Sequence, residues 1–236
     1  MSRADACRVG DPSFSPPGSA GARPGFAASS RRCRRRAGAP GPPVLAAFNA
    51  TLAGHTGQTD IAVGTPVSGR KNPQLEPLIG FFVNTLILRT DCAGDPSFTE
   101  LLARTRETAL AAYRHQDLPF DALVSALNPR RAPGYSPLVQ VMFSLQDARG
   151  RGLRLPGLST EVLDVFNGTA KFDLDLVLTH REDGIQGAAE YARDLLDPPV
   201  VEHLCAQYTR LLTMALRALH TPLSRLNRTP TKGSTP

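Results

Sequence analysis

The chain of 236 residues contains no tryptophan and only four cysteines, Cys7, Cys33, Cys92 and Cys205. No two of them form a C-x-x-C pair, so the spacing is that of neither a disulfide framework nor a zinc site. We therefore expect a reduced, cytoplasmic protein. No run of about 18 apolar residues occurs, and no apolar stretch of a secretory signal follows Met1, so we expect no contact with a membrane.

Several catalytic signatures are also missing. The sequence contains no G-x-S-x-G elbow, no phosphate-binding G-x-x-x-x-G-K-[ST] loop and no H-E-x-x-H pair. Its five histidines are scattered, and no two of them have the spacing of metal ligands. These absences argue against a serine hydrolase, a P-loop enzyme and a zinc peptidase, and we expect no metal and no directly bound cofactor.

The net charge of +6 is confined to one end of the chain. Residues 1–43 contain eight arginines, two acidic residues and 13 prolines or glycines, whereas residues 44–236 contain 19 basic and 19 acidic residues. Such a composition predicts a disordered leader over 1–43. The arginine run at 31–36 could bind nucleic acid, but a solvated tail is the favoured interpretation, so we do not expect nucleic acid as a partner.

Periodicity predicts an alternation of strands and helices after residue 43. Predicted helices cover 44–52, 95–118, 119–127 and 197–219, with Asp95 and Asp197 as N-caps of the second and fourth. Predicted strands cover 60–67, 81–90, 138–146, 159–165, 172–179 and 185–193. Asp183-Gly184 is a turn signal between the last two strands, which predicts a hairpin. Residues 229–236 are polar and are predicted to be a disordered tail.

Three stretches in the middle of the chain carry the strongest signal. They are IGFFVNTLILR at 79–89, HQDLPFD at 115–121 and SPLVQVMF at 136–143, with further agreement at VGTPVSGR (63–70) and GTAKFDL (168–174). In this order and at these separations they closely resemble the later motifs of the condensation domains of nonribosomal peptide synthetases. The resemblance covers roughly 44–228.

The resemblance implies a fold and a chemistry. Such domains are built from two chloramphenicol-acetyltransferase-like lobes with a tunnel between them. Carrier domains offer phosphopantetheine-bound donor and acceptor at its two mouths, and the acceptor amine attacks the donor thioester. This chain would be the C-terminal lobe, an α/β unit over 44–228 with a mixed, mostly antiparallel sheet and flanking helices. Its partners would be carrier domains, the N-terminal lobe and other synthetase modules.

Two histidine-containing stretches were considered as chemical sites. His115 begins HQDLPFD at the end of a predicted helix, where a cation stabilises the helix C-terminus, so we expect a capping or packing residue. HREDG at 180–184 is similar to the family's catalytic HHxxxDG, but one residue is missing between His180 and Asp183, and residue 179 is threonine. We interpret HREDG as a hairpin turn. No HHxxxDG occurs in the sequence.

Six positions are candidates for the tunnel wall: Ser68, Gly69, Arg70, Asn84, Gln140 and Phe143. Asn84 is the most informative of them, because an amide among apolar strand residues has to hold a neighbouring loop or line a pocket. The residues favour the structural role.

The absence of HHxxxDG leaves open whether this chain is an enzyme. We expect a partial condensation domain that is inactive alone. The alternatives are a non-catalytic lobe that docks a carrier protein or another synthetase module, a nucleic-acid binder acting through the leader, and a gene fragment without a role. Condensation, epimerisation and cyclisation relatives are not distinguished by these residues.

Overall fold

The chain folds into one mixed β-sheet with helices packed on one of its faces. Its strands alternate apolar and polar residues and are joined by turns, loops or helices. The computed structural model describes residues 4–9, 41–130, 135–147, 157–158, 169–180 and 184–227. The strands are β1 (Ala4–Val9), β2 (Asp60–Val67), β3 (Asn84–Asp91), β4 (Val141–Asp147), β5 (Leu174–His180) and β6 (Ile185–Ala192). The helices are α1 (Gly41–Thr56), α2 (Phe98–Arg114), α3 (Phe120–Leu127), α4 (Pro198–Arg217) and α5 (Leu223–Leu226), and a 3₁₀ turn covers Pro73–Leu75.

The strand order in the sheet is β1-β6-β5-β4-β2-β3. Three of the neighbouring pairs are antiparallel, namely β1–β6, β2–β3 and β5–β6, while β2–β4 and β4–β5 are parallel. The prediction of a mixed, mostly antiparallel sheet with flanking helices is therefore confirmed. The predicted hairpin is formed by β5 and β6, in which His180 is paired with Ile185.

The core lies between the sheet and helices α1, α2 and α4. Leu174, Leu176 and Leu178 alternate along β5 and are all buried, which places the residues between them on the other face. Phe48 of α1 stacks on Phe143 of β4 at 5.6 Å between ring centroids, and it meets Tyr208 of α4 edge-on at 6.0 Å. These three rings join the first helix, the central strand and the closing helix.

Gly64 marks a close approach between two strands. It pairs with Met142 of the parallel neighbour β4. A Cβ at Gly64 would lie 2.3 Å from the Met142 sulfur and 3.1 Å from Val139 Cγ2. Only glycine therefore leaves room for the Met142 side chain beside β2.

Most predicted ends differ from the observed ones by a few residues, and three differences are informative. Helix α2 is capped by Ser97 and not by Asp95, because Ser97 and Glu100 form a reciprocal capping box. Strand β3 begins at Asn84, three residues later than predicted. Strand β1 lies within the segment that was predicted to be disordered; its residues Ala4–Val9 pair with β6.

Some predictions fall outside the described residues. They are the rest of the leader at 10–40 with its arginine run, the strand at 159–165, the turn residues 181–183 and the tail at 229–236. Among the described residues, no helix is both long enough and apolar enough to cross a bilayer.

Candidate functional site

The loop that leaves β2 begins with three of the predicted site residues, Ser68, Gly69 and Arg70. Gly69 has φ +64°, and a Cβ there would lie 1.9 Å from the carbonyl oxygen of Phe82, so both the conformation and the space require glycine. The Ser68 hydroxyl accepts a hydrogen bond from the Arg70 backbone N–H at 3.4 Å. This short turn aims the Arg70 side chain across the loop that follows.

The Arg70 guanidinium connects separate parts of that loop. It donates hydrogen bonds to the carbonyl oxygens of Leu75, of Glu76 at 3.3 Å and of Gly80 at 3.4 Å. Its central carbon lies 4.3 Å from the centroid of the Phe82 ring, a cation–π geometry. A planar group with five donors can make all of these contacts at once.

Asn84 fastens the start of β3 to the turn between α2 and α3. Its Nδ2 donates to the carbonyl oxygens of Gln116 at 2.9 Å and Leu118 at 2.8 Å, while its Oδ1 accepts the backbone N–H of Phe120 at 3.0 Å. The expectation that this amide holds a neighbouring loop is confirmed. The bonds join the GFFVNT and HQDLPF stretches, which the sequence shows only as separate motifs.

A surface ion pair makes a second connection to the same turn. Lys71 Nζ lies 2.7 Å from Asp117 Oδ2. Both side chains are largely exposed, so the pair contributes little to stability. His115 is the C-cap residue of α2, as expected for a helix-end histidine, and its backbone N–H bonds to Ala112 O.

The structure separates Gln140 from the other candidates. Gln140 precedes β4 by one residue, and its Nε2 donates to Ser136 O at 3.0 Å. Since Met142 pairs with Gly64, Gln140 and Ser68 lie in opposite directions along the sheet, about six residues or roughly 20 Å apart. Ser68, Gly69, Arg70 and Asn84 thus form one group at one end of β2, with Gln140 toward the other.

Phe143 lies apart both from the Ser68–Arg70 and Asn84 group and from Gln140. It is 4% exposed and belongs to the core on the helix side of the sheet. Its ring is occupied by the stack on Phe48. The alternation of β4 places Met142 and Ser144 on the opposite face, and both are also buried. The assignment of the six candidates to a tunnel wall stays a prediction.

A partly buried carboxyl that the sequence analysis did not single out lies on that opposite face. Asp175 of β5 is paired with Glu190 of β6, and its Oδ1 is shut off from solvent without a hydrogen-bond partner. Burial raises the pKa of Asp175 to about 6, the Glu190 carboxylate adds to the rise and Lys171 opposes it. The alternating pattern of β5 shows Asp175 as one of its polar residues. How far Asp175 is buried depends on strands that are distant along the chain.

Other titratable groups in the described residues serve the fold. Hydrogen bonds from Ser224 lower the pKa of Asp95 and tie the start of α2 to α5. Burial raises the pKa of the Cys92 thiol to about 11, which makes it a poor nucleophile at neutral pH. No group of three or more His, Cys, Asp or Glu side chains suited to a metal ion occurs among the described residues.

The sequence matches the family model of the condensation domain over residues 43–235. It is 47% identical over 171 residues to one of the linear gramicidin synthase proteins of Brevibacillus parabrevis, covering 72% of this chain and 3% of that protein. It is 44% identical over 186 residues to the phosphinothricin tripeptide synthetase PhsB of Streptomyces viridochromogenes, covering 78% of this chain and 16% of that protein. The chain thus spans a small part of the relatives that it matches.

Solved structures share the fold. The X-domain from teicoplanin biosynthesis superimposes with a TM-score of 0.76 at 28% identity, over 94% of this chain and 49% of that one. The first condensation domain of the calcium-dependent antibiotic synthetase superimposes with a TM-score of 0.74 at 18% identity, over 94% of this chain and 46% of that one. The present fold therefore corresponds to about half of each. By its sequence and its fold, the chain belongs to the condensation-domain family of nonribosomal peptide synthetases.

Proposed function

We propose that this chain supplies the C-terminal half of an amide-forming condensation domain and does not catalyse amide formation by itself. One observation supports this most strongly. Nearly the whole fold matches solved condensation and X-domains, yet it accounts for only 46–49% of those chains. The sequence also has no HHxxxDG motif, the stretch that carries the catalytic histidine in this family.

The reaction would join two carrier-bound substrates. The acceptor amine nitrogen attacks the carbonyl carbon of the donor thioester, a C–N bond forms, the C–S bond breaks, and the sulfur of the donor's phosphopantetheine arm leaves as a thiol with the proton that the amine releases. The arms belong to carrier domains and are substrates for this chain. The residues of this half would form one wall of the passage and orient the arms, while the proton transfer would depend on the other half.

The histidines of this chain do not offer an equivalent proton acceptor. His115 is exposed and terminates α2, beside the turn that Asn84 holds. His180 is buried at the end of β5, next to the turn into β6. A general base needs its nitrogen within hydrogen-bond reach of the reacting amine, with a partner that orients the ring. A surface position at a helix end and a core position at a strand end argue against either imidazole acting as the base in a passage between two lobes.

A single-turnover assay tests the proposal. Donor and acceptor carrier proteins, each loaded with an aminoacyl group on its phosphopantetheine, are mixed with the chain, and the dipeptidyl carrier is followed by intact-protein mass spectrometry. We expect the rate with the chain alone to equal the rate without protein. A rate tenfold or more above that background, lost in His115→Ala or His180→Ala, would refute the inactivity and identify the histidine responsible.

The same reagents distinguish the proposed role from that of a non-catalytic lobe that only docks carrier proteins. Saturable binding of a phosphopantetheinylated carrier, with no amide formed after addition of a complementary HHxxxDG-containing half, would favour docking alone. Amide formation on that addition would favour the proposed role.

A further inference from the structure

The loop at residues 71–83 displays apolar side chains to water. Ile79 is 105% exposed and Phe81 is 90% exposed, and their neighbours Leu78 and Val83 are about half exposed. These four large apolar residues lie within six positions, which concentrates exposed apolar surface in one short segment. Exposed apolar surface of this kind marks a site of interaction with another protein surface.

The same loop is held in one conformation despite this exposure. Arg70 donates to the carbonyl oxygens of Leu75, Glu76 and Gly80, and its guanidinium covers the face of Phe82. Phe82 lies next to Phe81 in sequence, so the stack on its ring holds the backbone from which Phe81 projects.

Backbone hydrogen bonds and neighbouring anchors complete the arrangement. The amides of Leu75, Glu76 and Leu78 donate to the carbonyl oxygens of residues 72, 73 and 75. Lys71 at the start of the loop and Asn84 just after it are both bonded to the α2–α3 turn. A loop held across its middle by Arg70 and at its end by Asn84 loses little conformational freedom when it binds, which favours affinity.

We propose that Arg70 is a positioning residue that holds loop 71–83 in the conformation in which Ile79 and Phe81 dock onto the preceding half of the condensation fold. This inference rests on the proposed function, to which it adds Arg70 as the positioning residue and loop 71–83 as the surface of contact between the two halves. The occupant follows from the matched structures, because about half of each single-domain chain lies outside this fold. The docking surface is apolar at its centre, so the matching surface on the other half is an apolar pocket and not a charged one.

Hydrogen exchange tests the role of Arg70 without any partner. Arg70→Met in the full chain should raise the exchange rates of the Leu75, Glu76 and Leu78 amides at least tenfold, while those of β3 stay unchanged. Arg70→Lys should rescue part of the protection, since an ammonium reaches one carbonyl but has no planar fork. Arg104→Met is the matched control, because Arg104 bonds the carbonyls of Asp91 and Ala93 elsewhere. Unchanged exchange in Arg70→Met would overturn the inference.

Co-purification tests the contact. The tagged chain is co-expressed with the segment of the synthetase PhsB that directly precedes the stretch matched by this chain, and the retained segment is quantified. We expect retention by the wild type and by Leu195→Ser, an apolar residue exposed elsewhere, and at least tenfold less with Arg70→Met or with Ile79→Ser/Phe81→Ser. Equal retention by all variants would overturn the inference and leave the proposed function supported. No retention by the wild type would overturn both the contact and the proposed assembly of halves.

Discussion

Replacing Asp175 with asparagine should stabilise the protein at neutral pH, and the gain should vanish in acid. Asp175 faces away from the helices, next to Glu190 on the neighbouring strand, and its Oδ1 is buried without a partner. Burial, with the charge of Glu190 second, raises its pKa from 3.8 to about 6. Asparagine keeps the size of the side chain and removes the charge.

The magnitude and sign follow from proton linkage. Below about pH 3.8 the carboxyl is protonated in both the folded and the unfolded chain, so it does not disfavour folding. Between pH 3.8 and 6 the folded chain retains a proton that the unfolded chain has released, and the free energy of unfolding falls as pH rises. Above pH 6 the carboxyl is charged in both states and the wild type has lost the full amount of stability. The rise in pKa corresponds to at most about 3 kcal/mol.

Urea unfolding of both proteins from pH 4 to 8 measures this difference directly. The free energy of unfolding of Asp175→Asn should exceed that of the wild type by about 2–3 kcal/mol at pH 7.5 and by less than about 0.5 kcal/mol at pH 4. Asp194→Asn, in the exposed turn after β6, is the control and should change stability by less than about 0.5 kcal/mol throughout. A difference for Asp175→Asn that does not vary with pH, or a loss of stability at pH 7.5, would refute the reasoning.

Three further substitutions test the packing and the caps, each by urea unfolding. Asn84→Ala removes three hydrogen bonds to the α2–α3 turn and should lower the free energy of unfolding by about 2 kcal/mol. A loss under about 0.5 kcal/mol would mean that water takes over the hydrogen bonds of the amide. Gly64→Ala forces a methyl group against Met142 and should lower the free energy of unfolding by about 1–3 kcal/mol. The loss should be smaller when Gly64→Ala is introduced into the Met142→Ala variant. Equal losses in the two backgrounds would contradict the clash. Ser97→Ala removes one side of the capping box and should cost about 1 kcal/mol, an effect that Arg106→Ala, at an exposed position of the same helix, should not reproduce if the cap is responsible.

The N-terminus of α2 shows how local signals can compete. Asp95-Pro96 is a good start signal, yet the helix begins after Ser97, because the Glu100 carboxylate accepts a hydrogen bond from the Ser97 backbone N–H. Asp95 is instead bonded to Ser224, which lies 129 residues later in the chain. A pattern confined to a few neighbours does not reveal that alternative partner.

The site shows the same division between near and distant partners. The amide of Asn84 could be predicted to hold a loop, because a polar group among apolar strand residues needs partners. Which loop it holds could not be predicted, since its partners lie 32–36 residues away. Gln140 and Phe143 were grouped with it from their motif, but the register of β2 with β4 and the alternation along β4 separate them.

The sequence by itself determined the family, the order of strands β2 to β6 and helices α1 to α4 along the chain, and the turn between β5 and β6, since all of these depend on residues close together in the chain. Only the tertiary structure decided that Arg70 and Asn84 organise a single cluster, that the Asp175 carboxyl is partly buried and that Phe143 belongs to the core. The physical reason is that hydrogen-bond partners, burial and pKa depend on which distant segments the sheet register brings together, and no local pattern contains that register.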